Sequence, residues 1–309
     1  MNMKRDDSLK KSYFPQNGIW LRGNTHSHTT VSDGQYTPME LAELYRAKGY
    51  DFLSMTDHNI FVPHHELPEE SLVQITGIEH DIEYSVDKCT HIVGLGLCGQ
   101  TETSYPCRRY SKEELSDQQL IDMMSNDGQF VSIAHPVWSR MQPEELLMMN
   151  NYQAIEVYNN GTEHLCHNGG AEIVWDYLLQ HGKRVFATAV DDVHVTCDLF
   201  GGWIWVKAKD RTYKSILEAM FKGWFYASSG PVIEDYGINQ SEIYVKCSSC
   251  REIHFVTYPV RGKSFFAEDC GSLTEAKYSR CGREEYVRVV CTDHNGHSAW
   301  SEPIFFDER

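Results

Sequence analysis

Residues 18–59, GIWLRGNTHSHTTVSDGQYTPMELAELYRAKGYDFLSMTDHN, decide the fold class. Residues 18–25 read as a strand running into a loop that carries His26 and His28. Residues 37–48 read as a helix. Thr37 suits the N-cap, Pro38 the first helical position, and Glu40 the third position of a capping box. Gly49 is a C-terminal stop, and YDFLSMT is then a second strand, ending at Asp57 and His58. This is one strand–helix–strand unit with polar residues gathered where each strand ends.

The same grammar continues toward the C-terminus. Strand-like segments follow at 75–79 (ITGIE), 91–97 (HIVGLGL), 129–135 (QFVSIAH), 154–159 (AIEVYN) and 183–190 (KRVFATAV). Between or after them the pattern predicts helices over 111–127, 143–150, 170–181 and 212–222. Alternating strands and helices imply an α/β domain with a parallel sheet or barrel. The character changes after Ser229-Gly230-Pro231. EIYVKCS, EIHFVTYP, EEYVRVVCT and SEPIFF are short, alternating and separated by turn residues such as Asn295-Gly296. We therefore expect an N-terminal extension over 1–17, an α/β domain over 18–229, and a small all-β, sandwich-like module over 230–309.

Composition sets the chemistry. The chain has 309 residues, 28 Lys plus Arg, 44 Asp plus Glu, and a formal charge of −16. So acidic a surface should repel nucleic acid polymers and anionic membranes, so neither is an expected partner. No run approaches the roughly 18 apolar residues of a membrane span. The N-terminus has cations but no apolar stretch after them, so it does not read as a secretory signal. We expect a cytoplasmic protein whose ten cysteines are reduced thiols. The unusual count is 15 His, and histidine is the commonest side-chain metal ligand.

Those histidines and their acidic companions fall at strand ends: His26, His28 and Asp33; Asp57 and His58; Glu79; His135; Asp192 and His194. His91 is the exception, since it opens its strand. In α/β barrels the C-terminal ends of the strands form the active face, so these side chains would converge. A single HxH is weak, because about 0.7 are expected by chance at this histidine content. The joint pattern is not weak, and it is the donor set a multinuclear metal site needs.

In this order THSHTTVSDG, MTDHN, GIEHDIE, HIVGLGL, AHP, EVYNNG and DDVH resemble the PHP family of metal-dependent phosphoesterases, named for polymerase and histidinol phosphatase. The resemblance covers about residues 18–229, and implies a distorted (β/α)7, TIM-like barrel holding two to three divalent ions (Mn, Fe or Zn). It assigns His26, His28, Glu79 and Asp192 to one ion, and Glu79, His91 and His135 to a second. Asp33, His58 and His194 would hold the third. It implies hydrolysis of a small phosphorylated metabolite or nucleotide by a metal-bridging hydroxide, with Glu79 bridging; by position, Asp192 or His194 would assist proton transfer. ASSGPVI and YVRVVCTDHNGHSAWSEPIFF resemble a subgroup with a β-rich C-terminal module. Because some relatives there cleave non-phosphate esters, a carboxylic or carbamate ester hydrolase is the rival reading. A non-catalytic metal-binding module is the other.

Around this set, Arg140 and Arg22 are candidate phosphate contacts, and Glu156 and Asn159 candidate substrate contacts that orient a ligand or water. Asp57 and Asp191 each adjoin a proposed ligand and read as turn caps or as acids orienting an imidazole. His64, His65, His164 and His167 read as loop residues. Thr292-Asp293-His294-Asn295 repeats the TDHN of 56–59 but precedes Gly296, so it reads as a hairpin turn. Cys247 and Cys250 form a CxxC, with Cys270 and Cys281 downstream. The second pair lacks zinc-site spacing, so free thiols are expected.

Overall fold

The computed structural model describes residues 10–61, 72–85, 88–96, 108–269 and 271–306. His64, His65 and Cys270 lie outside them. The first domain is built on nine strands: β1 (Ile19–Asn24), β2 (Phe52–Met55), β3 (Val73–Ser85), β4 (Lys88–Leu95), β5 (Phe130–Ile133), β6 (Ala154–Asn159), β7 (Phe186–Val190), β8 (Trp203–Ala208) and β9 (Phe225–Ser228). Their spatial order is β9-β8-β1-β2-β3-β4-β5-β6-β7. The pairs β1–β2, β2–β3, β5–β6 and β6–β7 are parallel, as helical crossovers require.

The sheet is nonetheless mixed. Only two residues separate β3 from β4, so they form an antiparallel hairpin, and β4 also runs antiparallel to β5. This reversal explains His91. On β4 the N-terminal half lies at the end where the other strands finish, and His91 pairs in register with Asp81, two residues beyond Glu79. β7 returns against β8 without a ladder. Gly202, just before β8, sits so close to β7 that a Cβ would lie 2.3 Å from the Val190 carbonyl oxygen.

Helices α1 (Pro38–Ala47), α2 (Asp117–Asn126), α3 (Pro143–Met148), α4 (Asn160–Cys166), α5 (Glu172–Gln180) and α6 (Tyr213–Phe221) occur in the first domain. The Thr37/Glu40 capping box is present, with Thr37 Oγ1 accepting from the Glu40 N–H and Glu40 accepting from the Thr37 N–H. α2 starts six residues later than 111, because Ser116 and Gln119 form a capping box of their own. α4 falls where the sequence suggested loop. It has only seven residues and no apolar stripe, and Asn159 caps it by accepting the Thr162 N–H.

Beyond β9 the chain forms a second layer. Ile233–Asn239, Glu242–Cys250 and Leu273–Ser279, with Lys10–Ser12 from the N-terminal segment, make a separate four-stranded antiparallel sheet. Glu252–Tyr258, Lys263–Phe266, Tyr286–Thr292 and Ser298–Ser301 instead extend the main sheet, because Ser298–Ser301 pairs with β9. The sheet thus crosses the expected boundary at 229/230 without a break. The core between these layers includes Ile243, Val245, Ile253, Phe255, Val287 and Val289. Cys247, Cys250 and Cys291 are buried in it as free thiols, whereas Cys281 is exposed. The Asn295-Gly296 hairpin forms as expected, with Asp293 Oδ1 accepting from the N–H groups of Asn295 and His297.

Two polar contacts tie the C-terminal strands to the first domain. The buried guanidinium of Arg288 donates from Nε and Nη2 to the two carboxylate oxygens of Asp176 on α5, at 2.8 and 2.7 Å. Glu302, also buried, accepts the N–H of Ala187 on β7.

Candidate metal centre

Four chain segments meet edge to edge at the strand ends. The Asp192 N–H donates to the His26 carbonyl at 3.0 Å, and the His28 N–H to the Val193 carbonyl at 3.0 Å. The Thr56 N–H donates to the Ser27 carbonyl, and the Asn59 N–H to the Glu79 carbonyl, each at 2.8 Å. In extended backbone alternate residues share a face, so His26 and His28 turn inward together. Gly34 folds the next loop back tightly; a Cβ there would lie 2.4 Å from the His28 carbonyl carbon. His135 and Asp192 sit in the left-handed region (φ 24° and 52°). That region is uncommon for residues other than glycine, though Asp and His enter it more often than most, and such conformations recur at functional positions.

All nine expected donors are brought together. Glu79 is the hub. Its Oε1 lies 2.9 Å from His91 Nδ1, 3.2 Å from His135 Nε2 and 3.3 Å from His26 Nε2. Its Oε2 lies 3.1 Å from His28 Nε2 and 3.2 Å from His58 Nδ1. Asp192 Oδ1 lies 3.2 Å from His26 Nε2 and 3.1 Å from His28 Nε2. On the outer side Asp33 faces His28, His58 and His194 at 3.5–3.8 Å. Three donor groups fall within reach of single ions: His26, His28, Glu79 and Asp192; His58, Glu79 and His91; and His28, Asp33, His58 and His194. The first matches the expected set. The third adds His28 to its set. The second has His58 in place of His135, which packs its ring 4.9 Å from that of His91.

The donor chemistry fits divalent cations. His26 and His28 bring their Nε2 atoms within 3.1 Å of each other, deep in the protein. His26 Nδ1 donates to Glu156 Oε1 at 2.6 Å, so its Nε2 is left with a lone pair aimed inward. Asp192 Oδ1 and His58 Nδ1 are buried, and the groups 3.1–3.2 Å from them do not meet them in hydrogen-bond geometry. Ligand atoms crowded at a buried focus without well-formed hydrogen bonds are what a cation would satisfy. Without one, protons take its place. Burial opposes the charge on His28, but Asp192 and Glu79 push its pKa up to about 9. Burial also disfavours the Glu79 carboxylate, yet the imidazoles of His26, His91 and His58 hold it well below the usual range. Ion uptake must expel the protons that these acids hold on His26, His28 and His91, so affinity should rise with pH through the range where they titrate, about 9 for His28.

Glu156 and Asn159 support the centre rather than lining its cavity. Glu156 Oε2 accepts the His135 N–H and an Asn159 Nδ2 proton, each at 2.8 Å. Asn159 Nδ2 also donates to Asp192 Oδ2 at 3.1 Å. Both are buried and orient ligands. Ser139, which the sequence did not single out, does the same: its Oγ meets His135 Nδ1 at 3.0 Å. Asp57 touches no imidazole; it accepts from the backbone and hydroxyls of Thr29 and Ser32 and so holds the loop that carries Asp33. Asp191 likewise accepts the N–H groups of Phe200, Gly201 and Gly202 and the Tyr45 hydroxyl.

A cavity of about 540 Å³ opens over the centre. Asp33, His58, Glu79, His91, His135, Asp192 and His194 form its floor, and Trp138, Leu165 and Val195 its apolar wall. Among the described residues no Lys or Arg lines it. Arg22 is turned away, its guanidinium stacked 3.7 Å from the Trp203 ring and 4.1 Å from the Tyr50 ring, because β1 pairs with β8 there. Arg140 is exposed and also off the cavity.

No family model and no curated protein matches the chain. Solved structures do. Over 99% of both chains it is similar to a two-domain protein from Bacteroides vulgatus containing a predicted PHP-like metal-dependent phosphoesterase, with 14% identity and a TM-score of 0.52. That likeness shows a shared fold along the whole length. Partial likenesses are to an amidohydrolase from Chromobacterium violaceum (16% identity, TM-score 0.41, 56% of this chain and 87% of that one) and to PsfC from Pseudomonas syringae (14%, 0.43, 65% and 88%).

Proposed function

We propose that this chain is a PHP-type metal-dependent hydrolase, a phosphoesterase acting on a small phosphorylated molecule. The observation that carries the reading is the buried convergence of five imidazoles on Glu79, two of which also face Asp192 Oδ1 at 3.1–3.2 Å. His26, His28, Asp33, His58, Glu79, His91, His135, Asp192 and His194 would hold two or three divalent ions. Bound there, such ions supply Lewis acidity toward phosphoryl oxygens and a nucleophile at neutral pH. The chain's own groups do the rest. Asp33 and His194 are the partly exposed donors on the cavity side, so substrate meets them first. His194 Nδ1 is 3.1 Å from the Asp192 carbonyl, which leaves Nε2, 3.5 Å from Asp33, as the atom that would face an ion. Glu156 holds His26 and the His135 backbone in place through the cycle.

One observation favours the rival ester reading. The cavity wall is apolar, with Trp138, Leu165 and Val195 and no described cation, and this suits an uncharged acyl or leaving group. A panel of phosphomonoesters, phosphodiesters and carboxylic esters, assayed with Mn²⁺ and again after chelation, separates the two. We expect chelator-sensitive hydrolysis of a phosphoester. Turnover of carboxylic esters alone would replace the phosphoesterase by the esterase, and no turnover of any member would sink both.

A further inference from the structure

A second group of donors stands on the cavity wall and shares no residue with the centre. His164 Nδ1, Cys197 Sγ and Asp198 Oδ1 supply it, and their ligand atoms all lie within 4.8 Å of one another. We propose that these three side chains bind a further divalent cation, one of thiophilic character such as zinc.

The donor types favour such an ion, since one thiolate, one imidazole and one carboxylate are all zinc ligands. Ligand atoms around a tetrahedral zinc stand about 3.5 Å apart, from bond lengths of about 2.0–2.3 Å. Cys197 Sγ is 3.6 Å from Asp198 Oδ1, and His164 Nδ1 is 4.0 Å from the same carboxylate. Small side-chain rotations therefore close the site.

The backbone around it is already fixed. Asp198 Oδ2 accepts the N–H groups of His194 and Val195 at 3.0 and 2.9 Å, which leaves Oδ1 facing Cys197 and His164. The Asp198 carbonyl accepts from Asn160 Nδ2 at 2.8 Å, and Asn160 opens α4, the helix that carries His164. One buried aspartate thus locks the turn at Thr196–Asp198 to α4 and presents its second oxygen between the other two donors.

Three protein ligands leave one position of a tetrahedral ion open. All three residues line the 540 Å³ cavity, so that position is available to a molecule bound there. The ion would bring positive charge to a wall that has no described Lys or Arg. Binding exchanges the Cys197 S–H proton for a sulfur–metal bond, and the proton leaves to solvent.

Cobalt(II) tests this without any assay of turnover. The centre's nine donors are nitrogen and oxygen only, so a sulfur-to-cobalt charge-transfer band in the near ultraviolet reports a thiolate ligand. With the nine-donor centre loaded first, we expect the wild-type chain to develop that band and to saturate it at about one further equivalent per chain, with zinc displacing it. Cys197→Ser should abolish the band and leave the folded circular dichroism spectrum intact, since Cys197 is exposed. His164→Ala should weaken cobalt binding about tenfold or more. No charge-transfer band in the wild type would overturn the proposal. So would a band that survives in Cys197→Ser, which would belong to another thiol, such as those of Cys247, Cys250 and Cys291.

Discussion

Replacing Glu79 by alanine is expected to remove metal and activity together. Five imidazoles stand 2.9–3.3 Å from its two carboxylate oxygens, so it is the one side chain touched by most of the donor set. It also belongs to two of the three donor groups that single ions can reach. Without it those groups lose their shared anionic ligand, and neutral imidazoles face a cavity. Lewis-acid stabilisation of a transition state is worth several kcal/mol, so kcat/KM should fall on the order of a thousandfold or more. Glu79→Gln keeps the volume and should fall as far, which separates loss of the ligand from loss of packing. Near-wild-type turnover in either variant, with the fold intact, would remove the centre from the mechanism.

The second large effect is on stability. Arg288 is 1% exposed, and Asp176 meets its guanidinium with both oxygens. Nη1 of that guanidinium already has no partner. Asp176→Ala would strand a buried charge. Breaking such a pair from one side costs about 3–5 kcal/mol when both partners are buried. Asp176 is partly exposed, and Glu172 remains 3.7 Å from the guanidinium, so about 3 kcal/mol is expected. Arg288→Met should be milder, because Asp176 can rehydrate and the methionine refills an apolar site beside Trp175. Denaturant unfolding of the three proteins checks this. If Asp176→Ala is no less stable than Arg288→Met, the pair is not what fastens the C-terminal strands to α5.

Much of the site was legible in sequence because its ligands obey a local rule: a strand ends, and a donor follows. HSH, DH, AH and DDVH each mark such an end, and the alternation of strands and helices around them carries the α/β class. His91 broke the rule for a reason the sequence holds only faintly. Too few residues separate β3 from β4 for a crossover helix, so the strand had to reverse. Side-chain partnerships over long sequence distance were not legible. Glu156 is 130 residues from His26, and nothing local says that it grips that imidazole rather than a substrate. Arg22 looked available beside the metal loop, but two aromatic rings from other elements claim its guanidinium. α4 was missed because seven residues with a glycine at the second position leave no apolar period to read. That miss mattered, since α4 carries His164 and Leu165 to the cavity. The CxxC shows the same limit, for the thiol that shares its core is Cys291, not Cys281.

The central claim is that nine side chains from separate segments form a multinuclear cation site. Elemental analysis of the purified chain tests it most directly, carried out on Cys197→Ser so that the cavity-wall group does not add to the count. The account predicts two or three divalent ions of Mn, Fe or Zn per chain, lost on chelation and regained on dialysis against metal. One ion per chain, or none after reconstitution, would contradict it.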